Sequence, residues 1–134
     1  MTKKQKIRII AIFAAIIIIA AGTAVFLNVR ETQEGTKSFQ VVISSERDDF
    51  QKTTDEKSDL LFLGEFLRLM EGCEYEESDF GLFINGFYGM EQDFSREYWW
   101  LISVNGEGAM VGVDDIPILD GDVYSFTLIQ GWDY

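Results

Sequence analysis

Residues 98–134 read YWWLISVNGEGAMVGVDDIPILDGDVYSFTLIQGWDY, and their reading decides the fold. Tyr98, Trp99, Trp100, Leu101, Ile102, Ser103 and Val104 form an aromatic and branched run, the composition of a strand. It stops at Asn105-Gly106, a pair that tolerates positive φ and so predicts a tight hairpin. A second β segment is expected over 107–113, followed by Asp114-Asp115 and then Ile116-Pro117-Ile118-Leu119. Asp120-Gly121 predicts another turn into a last strand over 123–130, where Tyr124, Phe126 and Leu128 alternate with Ser125 and Thr127. Three β segments in so short a span make half a domain, and they announce no chemistry.

Working toward the N-terminus, the polar run 93–97 connects this unit to a short strand over 80–84. Asn85-Gly86 reads as a second hairpin turn, with 87–90 beyond it. The acidic stretch EGCEYEESD (71–79) reads as a solvated loop. Its carboxylates lack the loop glycine and terminal bidentate glutamate of a helix–loop–helix calcium site. Residues 60–70, LLFLGEFLRLM, predict the helix of the domain. Leu60, Phe62, Leu63, Phe66, Leu67, Leu69 and Met70 occupy about half of its cylinder, a face wide enough to need a sheet beneath it. Ser58 and Asp59 are its candidate caps and Gly72 its stop. Phe39, Val41 and Ile43 alternate through a first strand over 38–44, and a weak second strand is expected near 50–53. The sum is an α+β domain: a β-grasp-like mixed sheet with one packed helix.

Charge divides the chain. Residues 1–29 carry Lys3, Lys4, Lys6 and Arg8 without an acid, whereas residues 30–134 hold seven bases and 23 acids, leaving −12 in all. So acidic a surface excludes nucleic acid as a partner, because phosphates need basic contacts. Residues 9–27 are uncharged, and at a helical rise their length of roughly 28 Å approaches the roughly 30 Å of a bilayer core. The reading is a basic cytoplasmic tail (1–8), a single transmembrane signal anchor (9–29), a polar linker (30–37) and an extracytoplasmic domain (38–134). The apolar run continues past Gly22-Thr23-Ala24, the candidate processing site; cleavage there would make the domain secreted instead.

The chain has no histidine and one cysteine, Cys73. Intramolecular disulfides, thiol–imidazole zinc sites and histidine-assisted nucleophiles are therefore excluded. Carboxylates in a wet acidic surface carry no sign of a shifted pKa, so no enzyme is expected. What remains is the aromatic surplus. Strand parity sends Tyr98, Trp100, Ile102 and Val104 to one face and Trp99, Leu101 and Ser103 to the other, while one helix covers only one face. Tyr98, Trp99 or Trp100, with Phe87, Tyr88, Trp132 and Tyr134, are candidates for a platform under a flat ligand or partner. The alternative is that they complete a small core and pack the tail.

Leu63-Gly64-Glu65-Phe66-Leu67, the run 80–86 (FGLFING), Tyr98-Trp99-Trp100, Val104-Asn105-Gly106-Glu107, Gly112-Val113-Asp114 and Leu119-Asp120-Gly121-Asp122 together resemble the transcobalamin-like C-terminal domain family over residues 38–134. The resemblance implies a β-grasp relative of bacterial surface proteins. It also implies a corrinoid, such as cobalamin, or another flat cofactor as ligand. In the animal cobalamin carriers the corresponding domain closes over the corrinoid while a larger helical domain holds its other face. On that analogy Asn105, Gly106 and Gly108 would let the backbone approach the ligand. A membrane transporter that receives the ligand, or a surface protein docked on the C-terminal strand, is the expected partner.

Overall fold

The computed structural model describes residues 31–132, so the expected tail, membrane span and last two residues lie outside the described residues. Among the described residues no helix is long and apolar enough to cross a membrane. Strand β1 (Lys37–Ser45) pairs antiparallel with β2 (Phe50–Ser58), and helix α1 (Leu63–Leu69) follows. Then come β3 (Cys73–Ser78), β4 (Gly81–Phe87), β5 (Met90–Glu91), β6 (Tyr98–Val104), β7 (Glu107–Gly108) and β8 (Val123–Gln130). The main sheet has the order β2-β1-β8-β6-β7, with β1 and β8 parallel at its centre and antiparallel hairpins outside them. This α+β mixed sheet with one helix is consistent with the β-grasp-like arrangement expected. A second, three-stranded sheet β3-β4-β5 was not anticipated.

Alternation builds the core. Phe39, Val41 and Ile43 of β1 point inward beside Tyr124, Phe126 and Leu128 of β8, and all six are buried. Trp100 stands opposite Leu128 and Val104 opposite Tyr124, so the even-numbered face of β6 joins the same layer. Leu63 and Leu67 of α1 cover it, and the Phe66 ring meets Phe39 edge-on at 5.3 Å. Leu82, Ile84 and Phe87 of β4 cover the remainder.

Four local expectations are corrected. The helix is shorter than 60–70, because Phe62 bridges Pro117, Leu63 N–H donates to Ile116 O, and Ile118 N–H donates to Leu61 O. That ladder holds residues 61–62 extended, and Ser58 Oγ accepts from Leu60 N–H without capping the helix. The acidic stretch is strand β3, not a loop; both its faces are largely wet, so it shows no alternation. Asn85-Gly86 lies inside β4, and the turn falls at Tyr88 and Gly89, with φ of 52° and 80°. Gly86 is glycine because a Cβ there would stand 2.7 Å from Met90 O across the hairpin. The segment 107–113 pairs only over β7, and a 3-10 turn, Val113–Asp115, replaces the rest.

One carboxylate joins three of these elements. Asp114 Oδ1 accepts from Arg68 Nη1 at 2.6 Å, and its Oδ2 accepts from Arg68 Nη2 at 2.9 Å and Leu82 N–H at 3.0 Å. Arg68 also donates to Glu77 of β3 at 2.7 and 3.0 Å. These bonds hold the Asp114 and Glu77 carboxyls below their ordinary range and raise the guanidinium. A Cβ at Gly64 would overlap Asp114 Oδ1, and one at Gly81 would overlap Oδ2. The clasp needs both glycines.

Candidate aromatic cleft

The linker is not a free tether. Lys37 is fully buried and donates to Gln33 O at 2.7 Å, while Gln33 Oε1 accepts from Asp120 N–H at 2.9 Å. The chain therefore enters at the end of the sheet that holds the turns at 105–106 and 120–121. At the other end, β6 begins with its tryptophans. Between β4 and β6 lies a cleft of about 250 Å³. Leu82, Phe83 and Ile84 of β4 form one side and Trp99, Trp100 and Ile102 the other. Phe94 and Trp132 stand at its rim.

The rim rings form a chain. Trp99 and Trp132 stack at 5.9 Å between centroids and 18° between planes, Phe94 lies 6.4 Å from Trp132, and Phe83 lies 6.4 Å from Phe94. Phe83, Phe94 and Trp132 are 43%, 51% and 56% exposed, so the surface shows contiguous aromatic area next to the cleft. Trp99 Nε1 donates to Gly131 O at 2.8 Å and fixes the C-terminal bend that places Trp132. Trp100 is different. It is buried, packs edge-on against Phe87 at 5.0 Å, and its Nε1 has no hydrogen-bond partner among the described residues.

The structure divides the expected constellation. Trp99, Trp100 and Trp132 meet at the cleft. Tyr98 lies under the Arg47 guanidinium, 5.0 Å from the ring centroid. Tyr88 packs beside Phe50, beneath Lys52 at 4.8 Å, in a separate open groove of about 740 Å³ between β2 and α1. That groove carries Lys52, Glu56, Lys57 and Glu71 on its walls, so it presents mixed charge to water. Asn105 lies at the opposite end of β6, six residues and so roughly 20 Å from Trp99, with Gly106 in the turn beyond it; Gly108 folds back to pair with Ser103, four residues and so roughly 13 Å along the strand from Trp99. Asn105 is structural: at φ 52° its side chain donates to Asp122 Oδ1 and accepts from Val123 N–H, both at 2.9 Å. Gly106 completes the turn at φ 86°.

Sequence reasoning missed Phe83 and Phe94 as cleft residues. The signal for Phe94 was a lone aromatic inside the polar run 91–97. Among the described residues no three His, Cys, Asp or Glu side chains gather to hold a metal ion. Cys73 is half-buried, and loss of hydration, with Glu74 nearby, pushes its thiol up to about 11.

A family model described as a domain of unknown function (DUF4430) matches residues 65–130. A search of curated proteins finds no match. Among solved structures, a candidate metal-binding protein from Ruminococcus gnavus is similar at 29% identity and a TM-score of 0.66, over 72% of this chain and 99% of that one. Haptocorrin in complex with Cbi is similar at 17% identity and a TM-score of 0.61, over 73% of this chain. The match spans about a quarter (26%) of haptocorrin. The fold is transcobalamin-like.

Proposed function

We propose that this transcobalamin-like domain is a non-catalytic ligand-binding module that lays a flat small molecule, a corrinoid being the leading class, across the rim rings Trp99, Trp132, Phe94 and Phe83. The observation that carries the reading is the exposed ring chain beside an uncharged cleft in a chain of net charge −12. Its neighbour haptocorrin, described in complex with Cbi, supports a corrinoid; the Ruminococcus gnavus neighbour's metal description finds no ligand cluster among the described residues here. The module is held at the outer face of a membrane by residues 9–29, and a membrane transporter would take the ligand onward.

The test is a calorimetric and absorbance titration of the full chain in detergent with cobalamin and cobinamide. Saturable binding at micromolar concentration or tighter, weakened at least about tenfold by Trp132→Ala, is the expected result. Silence in both signals at the highest soluble concentration would sink the corrinoid reading. A second reading, a surface-protein interaction module, is favoured by Phe80 and Met110, which are 97% and 95% exposed. Cross-linking in intact membranes that captures one defined partner, and is lost in a Phe80→Ser, Met110→Ser double variant, would favour it.

A further inference from the structure

Resting on the ligand-binding reading above, we infer that the cleft receives a short uncharged side arm of the ligand ending in a carbonyl oxygen, a carboxamide above all, and that the Trp100 indole N–H is the group that recognises it. Size decides the first part. A cleft of about 250 Å³ is smaller than the roughly 300–1,000 Å³ that enclose a whole drug-sized ligand. It holds an arm, while the ring system stays outside on Trp132 and Phe94.

Charge decides the second part. No side chain lining the cleft is charged, although the chain carries 34 ionisable acids and bases of the Lys, Arg, Asp and Glu types. A carboxylate or ammonium entering it would give up hydration and meet no counter-ion. Hydrogen bonding decides the third. Gln92 Nε2 donates to Asn85 Oδ1 at 3.0 Å, and Trp99 Nε1 donates to Gly131 O at 2.8 Å. Trp100 Nε1 is shut off from water and has no acceptor among the described residues. An N–H so placed favours whatever acceptor reaches it.

The strand edge adds a complementary pair. Asn105 N–H donates to Val123 O and Gly131 N–H to Glu97 O, so the odd-numbered residues of β6 bond to β8. The even-numbered residues turn their peptide groups to the opposite side. There Tyr98 exchanges bonds with Asp93, and Ile102 O accepts from Ala109 N–H. Trp100, between them, faces a gap in the ladder, since β7 pairs only with Ser103 and Val104. A free strand edge offers one donor and one acceptor, which a carboxamide matches and an ester or ether does not. Phe94 and Trp132 are the rings that part to admit the arm; both are more than half exposed, and Trp132 follows Gly131 at φ 92°.

The experiment follows the three indole N–H signals of the ¹⁵N-labelled full chain in detergent micelles, assigned through single Trp→Phe variants. Acetamide and acetate serve as fragment probes, and cobinamide and cobyrinic acid as the amide and carboxylate forms of a whole ligand. The expected result is a saturable downfield shift of the Trp100 indole proton with acetamide and cobinamide, with the two acids at least about tenfold weaker. A Trp100 signal that stays still under all four probes overturns the inference, and if cobinamide meanwhile moves Trp99 and Trp132 the ligand-binding reading stands without it. Equal response to amide and acid also overturns it. A Trp100 shift with acetamide but none with cobinamide supports the arm chemistry and removes the corrinoid. Because the readout is on the unmutated chain, poor folding of Trp100→Phe does not blunt it.

Discussion

Gly64→Ala is the perturbation whose outcome depends most directly on the Asp114 clasp. Alanine in place of a helical glycine ordinarily stabilises by up to about 1 kcal/mol. Here the new methyl would overlap Asp114 Oδ1 and drive the carboxylate away from Arg68 and Leu82 N–H. Hydrogen bonds to charged groups contribute about 1.5–3 kcal/mol each when well shielded. Asp114 and Arg68 are 30% and 29% exposed at their side chains, so solvent screening discounts the three bonds to a joint loss of about 3 kcal/mol. Set against the propensity gain, the net is destabilisation by about 2 kcal/mol, or a Tm lower by about 10 °C for a domain of this size. Thermal unfolding of the full chain by circular dichroism measures it. In an Asp114→Ala background the carboxylate overlap is gone and only the tight 3.1 Å approach to the Cα of residue 114 remains, so the same Gly64→Ala change should cost markedly less than in the unmutated chain. The carboxyl's folded pKa is depressed, so its contribution is complete above the ordinary carboxylate value and is lost as pH falls below about 4 through the folded value. The Gly64→Ala penalty should shrink in that same window. Stabilisation by Gly64→Ala in the unmutated background at neutral pH would refute the clasp.

Two further outcomes follow from the placement of the other groups. Asn105→Ala removes both side-chain bonds of the 105–106 turn and should cost about 1–2 kcal/mol in urea unfolding. Because the turn is roughly 20 Å from Trp99, ligand affinity should change less than about twofold; a larger loss would move the site to that end of β6. Cys73, with its thiol pushed up to about 11, should react with iodoacetamide at pH 8 about a hundredfold more slowly than free cysteine, and a rate matching free cysteine would contradict its burial.

Elements whose two faces meet different surroundings were legible in the sequence. β1 and β8 alternate because one face of each is core, and the observed bounds extend the expected 38–44 by one residue at each end and reproduce 123–130. β3 and β2 were obscure for the opposite reason. β3 is wet on both sides, and β2, the outer strand of its sheet, puts Thr54, Glu56 and Ser58 at its half-buried positions, so neither writes an apolar period of two. Asn85-Gly86 misled because the same pair serves a tight turn or a close strand crossing, and only the Met90 carbonyl across the hairpin distinguishes them. The parity of β6 was legible, but which tryptophan faces inward was not. That is set by the pairing of Trp100 with Leu128, a contact 28 residues away in the chain.

The motif fragments that carry the family resemblance acquire a physical explanation through this structure, and it separates fold from function. Gly64, Gly81 and Asp114 come from three different fragments, and they form one clasp. Asn105, Asp120 and Asp122 come from two more. Asp120 accepts from Ser38 N–H at 2.7 Å, and Asp122 receives both Asn105 and the buried Tyr124 hydroxyl, each at 2.9 Å. The first three tie α1 and β4 to the Val113–Asp115 turn, the last three tie β1, β6 and β8 together at one end of the sheet, and none of them lines the cleft. The cleft's exposed rings follow a different rule. Phe94 and Trp132 lie outside every fragment and are held by stacking and by one indole-to-carbonyl bond. A chain that keeps the clasp and the turns keeps the cleft's walls, while its rim is free to change. Relatives of this fold are therefore expected to share Trp100's position and to differ at Phe94 and Trp132, where the ring system of each ligand would rest.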